Sequence, residues 1–302
     1  MWIKHLAEKI AEWLGVSMKY VWVVGASSGI GESLAIKYAD MGYQVFISAR
    51  SVETLNAMVL SYSTAKGLEI QNDVSTDIES ESGQLVAVPM DVTDEQSIVS
   101  AILEINSVTS KLHKVIINAG TCEYIDDTQV DLDLMRRVME TNVFGAIQVS
   151  NYSQALLNHK ESPQLVFVSS SVTYQALPRA HAYGGSKAAL RYFAECLKVD
   201  VQKQGLDVRV ISPGFVKTPL TDKNDFDMPF MISSDNAADR IIKGLSGSTF
   251  DIHFPKRFTL LLKIFSCLPN SIKFNLLGKM ARTSEPSLTI KNKEIESWKH
   301  GN

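Results

Sequence analysis

A doubly wound α/β fold, with helices on both faces of a parallel sheet, is predicted by two features of this 302-residue sequence. Short apolar runs alternate with helical patterns between residues 20 and 254, which is the order of a parallel sheet with crossover helices. A glycine-rich turn, Gly25-Ala-Ser-Ser-Gly-Ile-Gly31, lies between the first apolar run and the first helical pattern. We therefore predict one large α/β domain with a helical C-terminal extension.

The predicted strands are short and rich in aliphatic and aromatic side chains. They are Tyr20–Val24, Gln44–Ala49, Leu85–Met90, Lys114–Ile117, Leu165–Val168, Val208–Ser212 and Phe250–Phe254. The first crossover helix is expected to begin near Gly29 and to end near Gly42. The polar, acidic stretch between Ala65 and Gln84 predicts a loop at the sheet edge opposite the ligands.

Two amphipathic segments flank the α/β domain, which we place at residues 17–254. Residues 1–16 are predicted to form a helix with apolar side chains at helical spacing, and residues 255–302 a basic extension. Six positive charges precede Glu285 in this extension: Lys256, Arg257, Lys263, Lys273, Lys279 and Arg282. Because leucine and phenylalanine side chains lie between these charges, the extension fits either a membrane surface or a cover over the substrate pocket.

Composition and charge exclude several classes of protein. With 45% hydrophobic and 21% charged residues the chain is globular, and its net charge of −3 gives no general reason to bind nucleic acid. The three cysteines and six histidines are too scattered for a disulfide framework or a metal site, so no metal is expected. No apolar run is long enough to span a bilayer, and charges interrupt the N-terminal segment, so we expect a cytoplasmic protein.

The glycine-rich turn has the features of a dinucleotide-binding site. Gly25 allows a sharp turn after the strand, Gly29 allows a phosphate to approach the backbone, and Gly31 allows the helix to pack on the sheet. The free N–H groups at the start of the helix would then face the pyrophosphate. At the end of the second strand, where NAD-binding sites carry an acidic residue, stand Ala49 and Arg50. A guanidinium pairs with a 2′-phosphate, which favours NADP(H) over NAD(H).

A tyrosine and a lysine with helical spacing form the second motif. Tyr183 and Lys187 are four residues apart, so they share one face of a helix. The ammonium group, together with an oxidised nicotinamide, is expected to lower the pKa of the phenol from about 10 toward neutrality. Tyr183 would then exchange a proton with a substrate oxygen.

Seven motifs between Lys19 and Phe254 occur in the order typical of the short-chain dehydrogenase/reductase family, which the chain resembles. They are Gly25-Ala-Ser-Ser-Gly-Ile-Gly31, Asp91-Val92, Asn118-Ala119-Gly120, Asn142, Ser170, Tyr183-x-x-x-Lys187 and Pro213-Gly-Phe-Val-Lys-Thr218. The resemblance implies a Rossmann-like fold and an NADP-dependent oxidoreductase, either a carbonyl reductase or an alcohol dehydrogenase.

The resemblance also implies a role for each motif. Tyr183 would be the general acid or base, Ser170 would bind the substrate oxygen, Lys187 would bind the nicotinamide ribose, and Asn142 would anchor a proton-relay water. Ser169 and Ser171, the neighbours of Ser170, are expected to point away from the site, because side chains alternate along a strand. Cofactor contacts are expected from Gly25, Ser27, Ser28, Gly29, Ile30, Gly31, Arg50, Asp91, Val92, Asn118, Ala119, Gly120, Tyr183, Lys187, Pro213, Gly214, Val216 and Thr218.

The substrate is less well defined by the sequence. The segment from Pro219 to Ile232 falls where the family has a loop that covers the substrate, and four apolar side chains suggest a lid: Phe226, Met228, Phe230 and Met231. Together with the apolar extension, they favour a hydrophobic, lipid-like ketone, aldehyde or alcohol. The resemblance further implies a homo-oligomer formed through the helices of Asn142 and Tyr183.

Two other functions remain open at this stage. A non-catalytic, nucleotide-binding scaffold is compatible with the same fold, because fold alone does not determine function. A membrane-surface module is compatible with the two amphipathic segments, and it does not exclude enzymatic activity.

Overall fold

The computed structural model describes residues 18–68, 83–125 and 130–279. Seven parallel strands form one sheet in the order β3-β2-β1-β4-β5-β6-β9, and β7 pairs with β8 in a small second sheet. The strands are β1 Tyr20–Val24, β2 Gln44–Ser48, β3 Gln84–Ala87, β4 Lys114–Ile117, β5 Gln164–Val168, β6 Asp207–Pro213, β7 Val216–Lys217, β8 Ile232–Ser233 and β9 Asp251–Phe254. The predicted doubly wound, Rossmann-like sheet is confirmed, and each of its seven strands overlaps the predicted one.

Helices cover both faces of the sheet. Within the described residues they are α1 Gly29–Asp40, α2 Val52–Lys66, α3 Glu95–Val108, α4 Leu132–Met139, α5 Ala146–Ser153, α6 His181–Asp200, α7 Ser234–Leu245, α8 Lys256–Ser266 and α9 Asn270–Gly278. A π-helical turn, Glu140–Gly145, joins α4 to α5. The predicted N-terminal helix and most of the acidic loop lie outside the described residues, as do residues 280–302 of the extension.

Alternation along the central strands divides the core into two layers. In β1, Trp22 belongs to the layer that contains residues of α3, α5 and α6, whereas Val21 and Val23 belong to the layer that contains residues of α1, α2 and α7. All three side chains are fully buried, as expected for a parallel sheet with helices on both faces. Trp22 also donates a hydrogen bond from Nε1 to Ser48 Oγ at 2.8 Å, which satisfies its polar atom inside the core.

This order of strands creates a crevice beside β1. The chain continues from β1 to β2 on one side, whereas β4 pairs with β1 on the other, so the strand order reverses at this point. The turns that follow β1, β4 and β5 therefore diverge at the carboxyl edge of the sheet. Those turns carry three of the seven motifs found in the sequence, namely the glycine-rich turn, Asn118-Ala119-Gly120 and Ser170.

Candidate active site

The glycine-rich turn after β1 is too tight for side chains at two of its glycines. Gly25 has a φ of +82°, and a Cβ atom there would lie 2.5 Å from the backbone nitrogen of Ala119. A Cβ atom on Gly31 would lie 2.1 Å from the carbonyl oxygen of Gly25. Asn118 holds the turn by donating from Nδ2 to that same oxygen at 2.7 Å. The turn therefore presents bare backbone and the start of α1 to the crevice, as anion binding requires.

The crevice is a cavity of about 610 Å³ that extends from Arg50 to Tyr183. Of the residues predicted to bind a cofactor, all but Gly31 line it, and Ser170 lines it as well. Gly31 and Asn142 lie behind this surface and support it. We call this cavity the dinucleotide groove. Its lining also includes residues that the sequence did not single out, such as Thr121, Glu123, Arg137, Thr141 and Lys223.

The far end of the dinucleotide groove carries a positive charge. Arg50 follows β2, is exposed, and lines the groove. Asp91 lies at the same end, where its Oδ1 accepts hydrogen bonds from the backbone nitrogen and the hydroxyl of Thr93 at 2.9 and 2.8 Å. Another basic residue of the lining, Arg137, pairs with Glu123 at 3.0 Å. These residues fit one end of a nicotinamide dinucleotide.

Ser170, Tyr183 and Lys187 converge at the other end of the groove. Lys187 is buried in α6, donates from Nζ to the carbonyl of Val168 at 2.9 Å, and lies 5.9 Å from the centroid of the Tyr183 ring. Tyr183 shares a hydrogen bond with the side chain of Ser170. The neighbouring Ser169 faces away and donates to the carbonyl of Lys187 at 3.1 Å. The arrangement places one phenol, one hydroxyl and one ammonium group around a single point.

The surroundings that the chain supplies shift the pKa of both titratable groups. Burial raises the pKa of Tyr183 to about 12, and the hydrogen bond with Ser170 opposes that shift only in part. Burial also lowers the pKa of Lys187 to about 8. The predicted lowering of the Tyr183 pKa requires an oxidised nicotinamide in addition to the lysine, so it stays a prediction. At neutral pH both groups carry their protons.

Asn142 lies in the π-helical turn and is fully buried. Its Nδ2 donates to the carbonyl of Thr121 at 2.8 Å and to Ser186 Oγ at 2.9 Å, while Oδ1 accepts from the backbone nitrogen of Thr121 at 2.7 Å. Both protons of the side-chain amide are therefore used within the protein. The side chain ties the turn after β4 to α6, which carries Tyr183 and Lys187.

A second cavity, of about 560 Å³, opens beside the dinucleotide groove. We call it the apolar cavity, because most of its lining side chains are hydrocarbon. Ser170 and Tyr183 line both cavities, so the two spaces meet at this pair. The hydrocarbon side chains of the apolar cavity include Val172, Leu177, Phe215, Leu220, Phe226, Phe258, Leu261, Leu262, Phe265 and Leu277.

The predicted lid is confirmed by geometry only in part. Phe226 lines the apolar cavity and contacts the rings of Tyr124 and Phe215, with centroids 5.6 and 6.0 Å apart. Phe230 and Met231 do not line the cavity and are 51% and 38% exposed. The inner faces of α8 and α9 supply the rest of the cover. The extension thus covers the cavity with one face.

Tyr124 and Arg179 are among the residues of the apolar cavity that the sequence did not single out. Tyr124 lies next to Tyr183, and burial raises its pKa. The guanidinium of Arg179 lies 5.1 Å from the centroid of the Tyr124 ring and pairs with Asp225 of the lid at 2.7 Å. Arg179 has a φ of 67°, in the left-handed region that a residue without a functional or structural constraint rarely adopts. Only the position of Tyr124 shortly after Gly120 hinted at a place in the site. The nearby Cys122 is not activated, because burial raises the pKa of its thiol.

Two further features bear on the class of protein. No helix within the described ranges is long and apolar enough to cross a membrane. Across the same residues, histidine, cysteine and acidic side chains form no group that would hold a metal ion.

Comparison with known proteins identifies the relatives of this chain. The family model described as short chain dehydrogenase matches residues 19–228. An uncharacterized oxidoreductase of Myxococcus xanthus is 29% identical over 257 residues, which are 85% of this chain and 95% of that protein. The NADPH-dependent 1-acyldihydroxyacetone phosphate reductase of Schizosaccharomyces pombe is 30% identical over 68% of this chain. The chain spans 62% of the length of that yeast protein.

A solved structure shows the same fold. The short chain dehydrogenase from Burkholderia cenocepacia, crystallised in complex with NADP, superposes with a TM-score of 0.69. The match covers 86% of this chain and 97% of that one at 20% sequence identity.

Proposed function

The chain belongs to the short-chain dehydrogenase/reductase family of oxidoreductases, and we propose that it reduces hydrophobic ketones or aldehydes with NADPH. The reverse reaction oxidises the corresponding alcohols with NADP. One observation carries this proposal: the dinucleotide groove and the apolar cavity meet at Ser170 and Tyr183. A cofactor in the first space and a carbonyl compound in the second would react at that point.

The residues of the groove would hold the cofactor along its length. The glycine-rich turn and the start of α1 would bind the pyrophosphate, while Asp91 and Val92 would flank the adenine. Lys187 would bind the nicotinamide ribose, and residues 213–218 would lie beside the nicotinamide. The bound cofactor supplies or accepts the hydride, and the chain supplies position and proton transfer.

Preference for the phosphorylated cofactor is proposed on the basis of Arg50. Its exposed guanidinium lies where an acidic residue would bind the ribose hydroxyls of NAD, and a guanidinium pairs with phosphate through two parallel hydrogen bonds. The yeast relative is described as NADPH-dependent, and the Burkholderia structure contains NADP. Both relatives agree with this preference.

The proton chemistry follows from the protonated state of the site. With a pKa of about 12, the phenol of Tyr183 carries its proton at neutral pH and can donate it to a carbonyl oxygen during reduction. Ser170 would hydrogen-bond the same oxygen and stabilise its developing charge. The ammonium group of Lys187 stabilises the phenolate left behind, and Asn142 positions α6 for this transfer. In the oxidation direction Tyr183 would act as the base.

The substrate class is proposed from the walls of the apolar cavity. Its lining offers hydrocarbon surface on most sides, and polar side chains such as Ser170, Tyr183 and Arg179 are the minority. A sugar would leave hydroxyl groups without hydrogen-bond partners in such a space, at a cost of about 1–3 kcal/mol each. A long or bulky hydrophobic carbonyl compound fits this lining.

We also propose how the chain is divided into domains and how it assembles. We assign residues 17–254 to the catalytic domain and residues 1–16 and 255–302 to its two extensions. A homo-oligomer through α6 and the π-helical turn is supported by exposed apolar side chains there: Phe144, Tyr192 and Val199 are 51%, 71% and 73% exposed.

We place the enzyme in the cytoplasm, at the surface of a membrane. The scaffold alternative is disfavoured because Ser170, Tyr183 and Lys187 are all present and converge.

Paired serine variants test the proposed function. Ser170→Ala is expected to lower kcat for NADPH-linked ketone reduction by about 10²-fold, because one donor to the oxyanion is lost. Ser171→Ala removes the adjacent hydroxyl and is expected to lower kcat far less. Binding of NADPH, followed by fluorescence, should be equal in both variants. Equal activity of the two variants would contradict the assigned site, and an inactive wild-type chain that binds NADPH would favour the scaffold.

A further inference from the structure

An exposed apolar patch lies on the outer faces of α8 and α9. The apolar patch consists of Leu260, Leu261, Ile264, Ile272, Phe274 and Leu276. The exposed fractions of these side chains range from 42% to 67%. Single exposed apolar residues are ordinary on a protein surface, whereas six large ones on two consecutive helices mark a site of interaction.

The apolar patch adjoins the mouth of the apolar cavity. On the inner side of α8, Phe258 and Leu262 are buried and line the cavity. Leu261 lines the cavity too, yet it is 57% exposed, so it forms part of the rim. Phe230 of the lid is 51% exposed, and its ring centroid lies 6.3 Å from that of Phe258. Hydrocarbon surface therefore continues from the outside of the protein into the cavity.

Basic residues lie in the same two-helix segment as the apolar patch. Between Lys256 and Lys279 the sequence contains five basic residues and no acidic one, although the whole chain has a net charge of −3. Lys263 is turned inward, where its Nζ contacts Asp251 at 3.4 Å and lies 4.4 Å from the centroid of the Tyr174 ring. The other four are Lys256, Arg257, Lys273 and Lys279, and we call them the basic rim.

The first turn of α8 favours an anionic partner in addition. Lys256 and Arg257 occupy this turn, and no side chain caps it. Basic groups at a helix N-terminus oppose the helix dipole, whereas an anion there would interact favourably with the dipole and with both side chains. The same end of the helix therefore combines free N–H groups with positive charge.

We propose that the apolar patch and the basic rim dock this protein on the surface of a bilayer that contains anionic phospholipid. Hydrocarbon side chains would enter the interface, and the basic rim would contact the headgroups. A second copy of the chain fits this surface poorly, because a symmetric contact would bring the two basic rims together. Docking in this way turns the mouth of the apolar cavity toward the lipid. A hydrophobic substrate would then enter from the bilayer, a step that rests on the proposed function.

Vesicle flotation of the full-length chain tests the docking without substrate or cofactor. We expect the protein to float with vesicles of equal parts phosphatidylcholine and phosphatidylserine, and far less with phosphatidylcholine alone. High salt should weaken the binding, because it screens the basic rim. The double variant Ile264→Glu/Phe274→Glu should lower the bound fraction by at least about tenfold, since it removes two apolar contacts from the interface.

The matched control is Leu103→Glu on α3, because Leu103 is 63% exposed and remote from the extension. This variant should float like the wild type. Failure of the wild type to float with anionic vesicles would overturn the proposal, as would an equal loss for Leu103→Glu. A fall in oligomer mass of the double variant in sedimentation velocity, with vesicle binding unchanged, would assign the apolar patch to a second copy and overturn it too. Flotation without any ketone reduction would support docking while contradicting only the proposed function.

Discussion

The dinucleotide groove and the apolar cavity meet at Tyr183, but the chain builds them in different ways. The groove consists largely of backbone and short side chains at the carboxyl ends of β1 to β6. The apolar cavity consists of large side chains from segments far apart in the sequence, from Tyr124 to Leu277. A cofactor site of this kind is encoded in local motifs, whereas the substrate site depends on how distant segments pack.

The largest expected effect comes from Tyr183, one of the residues that line both spaces. Tyr183→Phe removes the proton donor while keeping the ring, so kcat for ketone reduction should fall by at least about 10³-fold. The affinity for NADPH, measured by fluorescence titration, should stay within a few fold. Tyr192→Phe on the same helix is the control, because Tyr192 lines neither cavity. Retained turnover in Tyr183→Phe would remove this residue from the chemistry.

We expect that the glycine-rich turn of the groove does not tolerate a side chain at Gly31. Gly31→Ala would place a Cβ atom 2.1 Å from the carbonyl of Gly25, which forces the turn to move. We expect a loss of about 1–3 kcal/mol in unfolding free energy, together with weaker binding of NADPH. Chemical denaturation and fluorescence titration measure the two effects.

Gly185→Ala provides the matched control for that substitution. A Cβ atom there meets no heavy atom within 4 Å, although Gly185 lies between Tyr183 and Lys187 in α6. The stability of this variant should be unchanged or higher by about 0.5–1 kcal/mol, because alanine is the better helix former. Equal losses at both positions would mean that the close approach in the turn has no special role.

Because Lys187 and Tyr183 are buried where the two spaces meet, the stability of the protein should depend on pH. The pKa of Lys187 is about 8 in the folded chain and 10.5 without burial, so the unfolded chain binds more protons between these values. The free energy of unfolding should therefore gain about 2 kcal/mol from this group as the pH rises from 8 to 10. The raised pKa of Tyr183 acts in the opposite direction only above pH 10.

Urea denaturation at several pH values measures this contribution. In Lys187→Met the gain between pH 8 and pH 10 should be absent. Parallel pH curves for the two proteins would show that burial does not depress the pKa of Lys187.

The smallest effect is expected at the exposed end of the groove. Arg50→Asp should reverse the cofactor preference, weakening NADPH by at least about tenfold because a carboxylate repels the 2′-phosphate. The affinity for NADH should change much less. An unchanged ratio of the two dissociation constants would show that another residue selects the cofactor.

The sequence predicted the groove closely, for a physical reason. Strand β1 has the predicted bounds, and α1 begins at the predicted Gly29. Each element is determined by nearby residues: aliphatic runs for the strands, and glycines where the backbone needs a positive φ or a close approach. The shared position of Ser170 and Tyr183 followed from the spacing of known motifs.

The cavity was less predictable, because its geometry arises from packing between distant elements. Phe230 was expected in the lid, yet it does not line the cavity and its side chain is partly exposed. Tyr124 and Arg179 line the cavity, although no motif predicted them. One face of α8 lines the apolar cavity, and the other face is exposed. Periodicity alone does not show which face lies toward the cavity. The pKa of Tyr183 also depends on burial, a property of the whole fold rather than of the lysine four residues away.

The consumption of NADPH by the full-length chain with methyl ketones of increasing chain length tests the central claim most directly. If the groove and the apolar cavity meet at Tyr183, kcat/KM should rise with each added carbon, by up to about fourfold per buried methylene group. The rise should end when the alkyl chain fills the cavity. Tight binding of NADPH without reduction of any ketone, or equal rates for short and long ketones, would contradict the account.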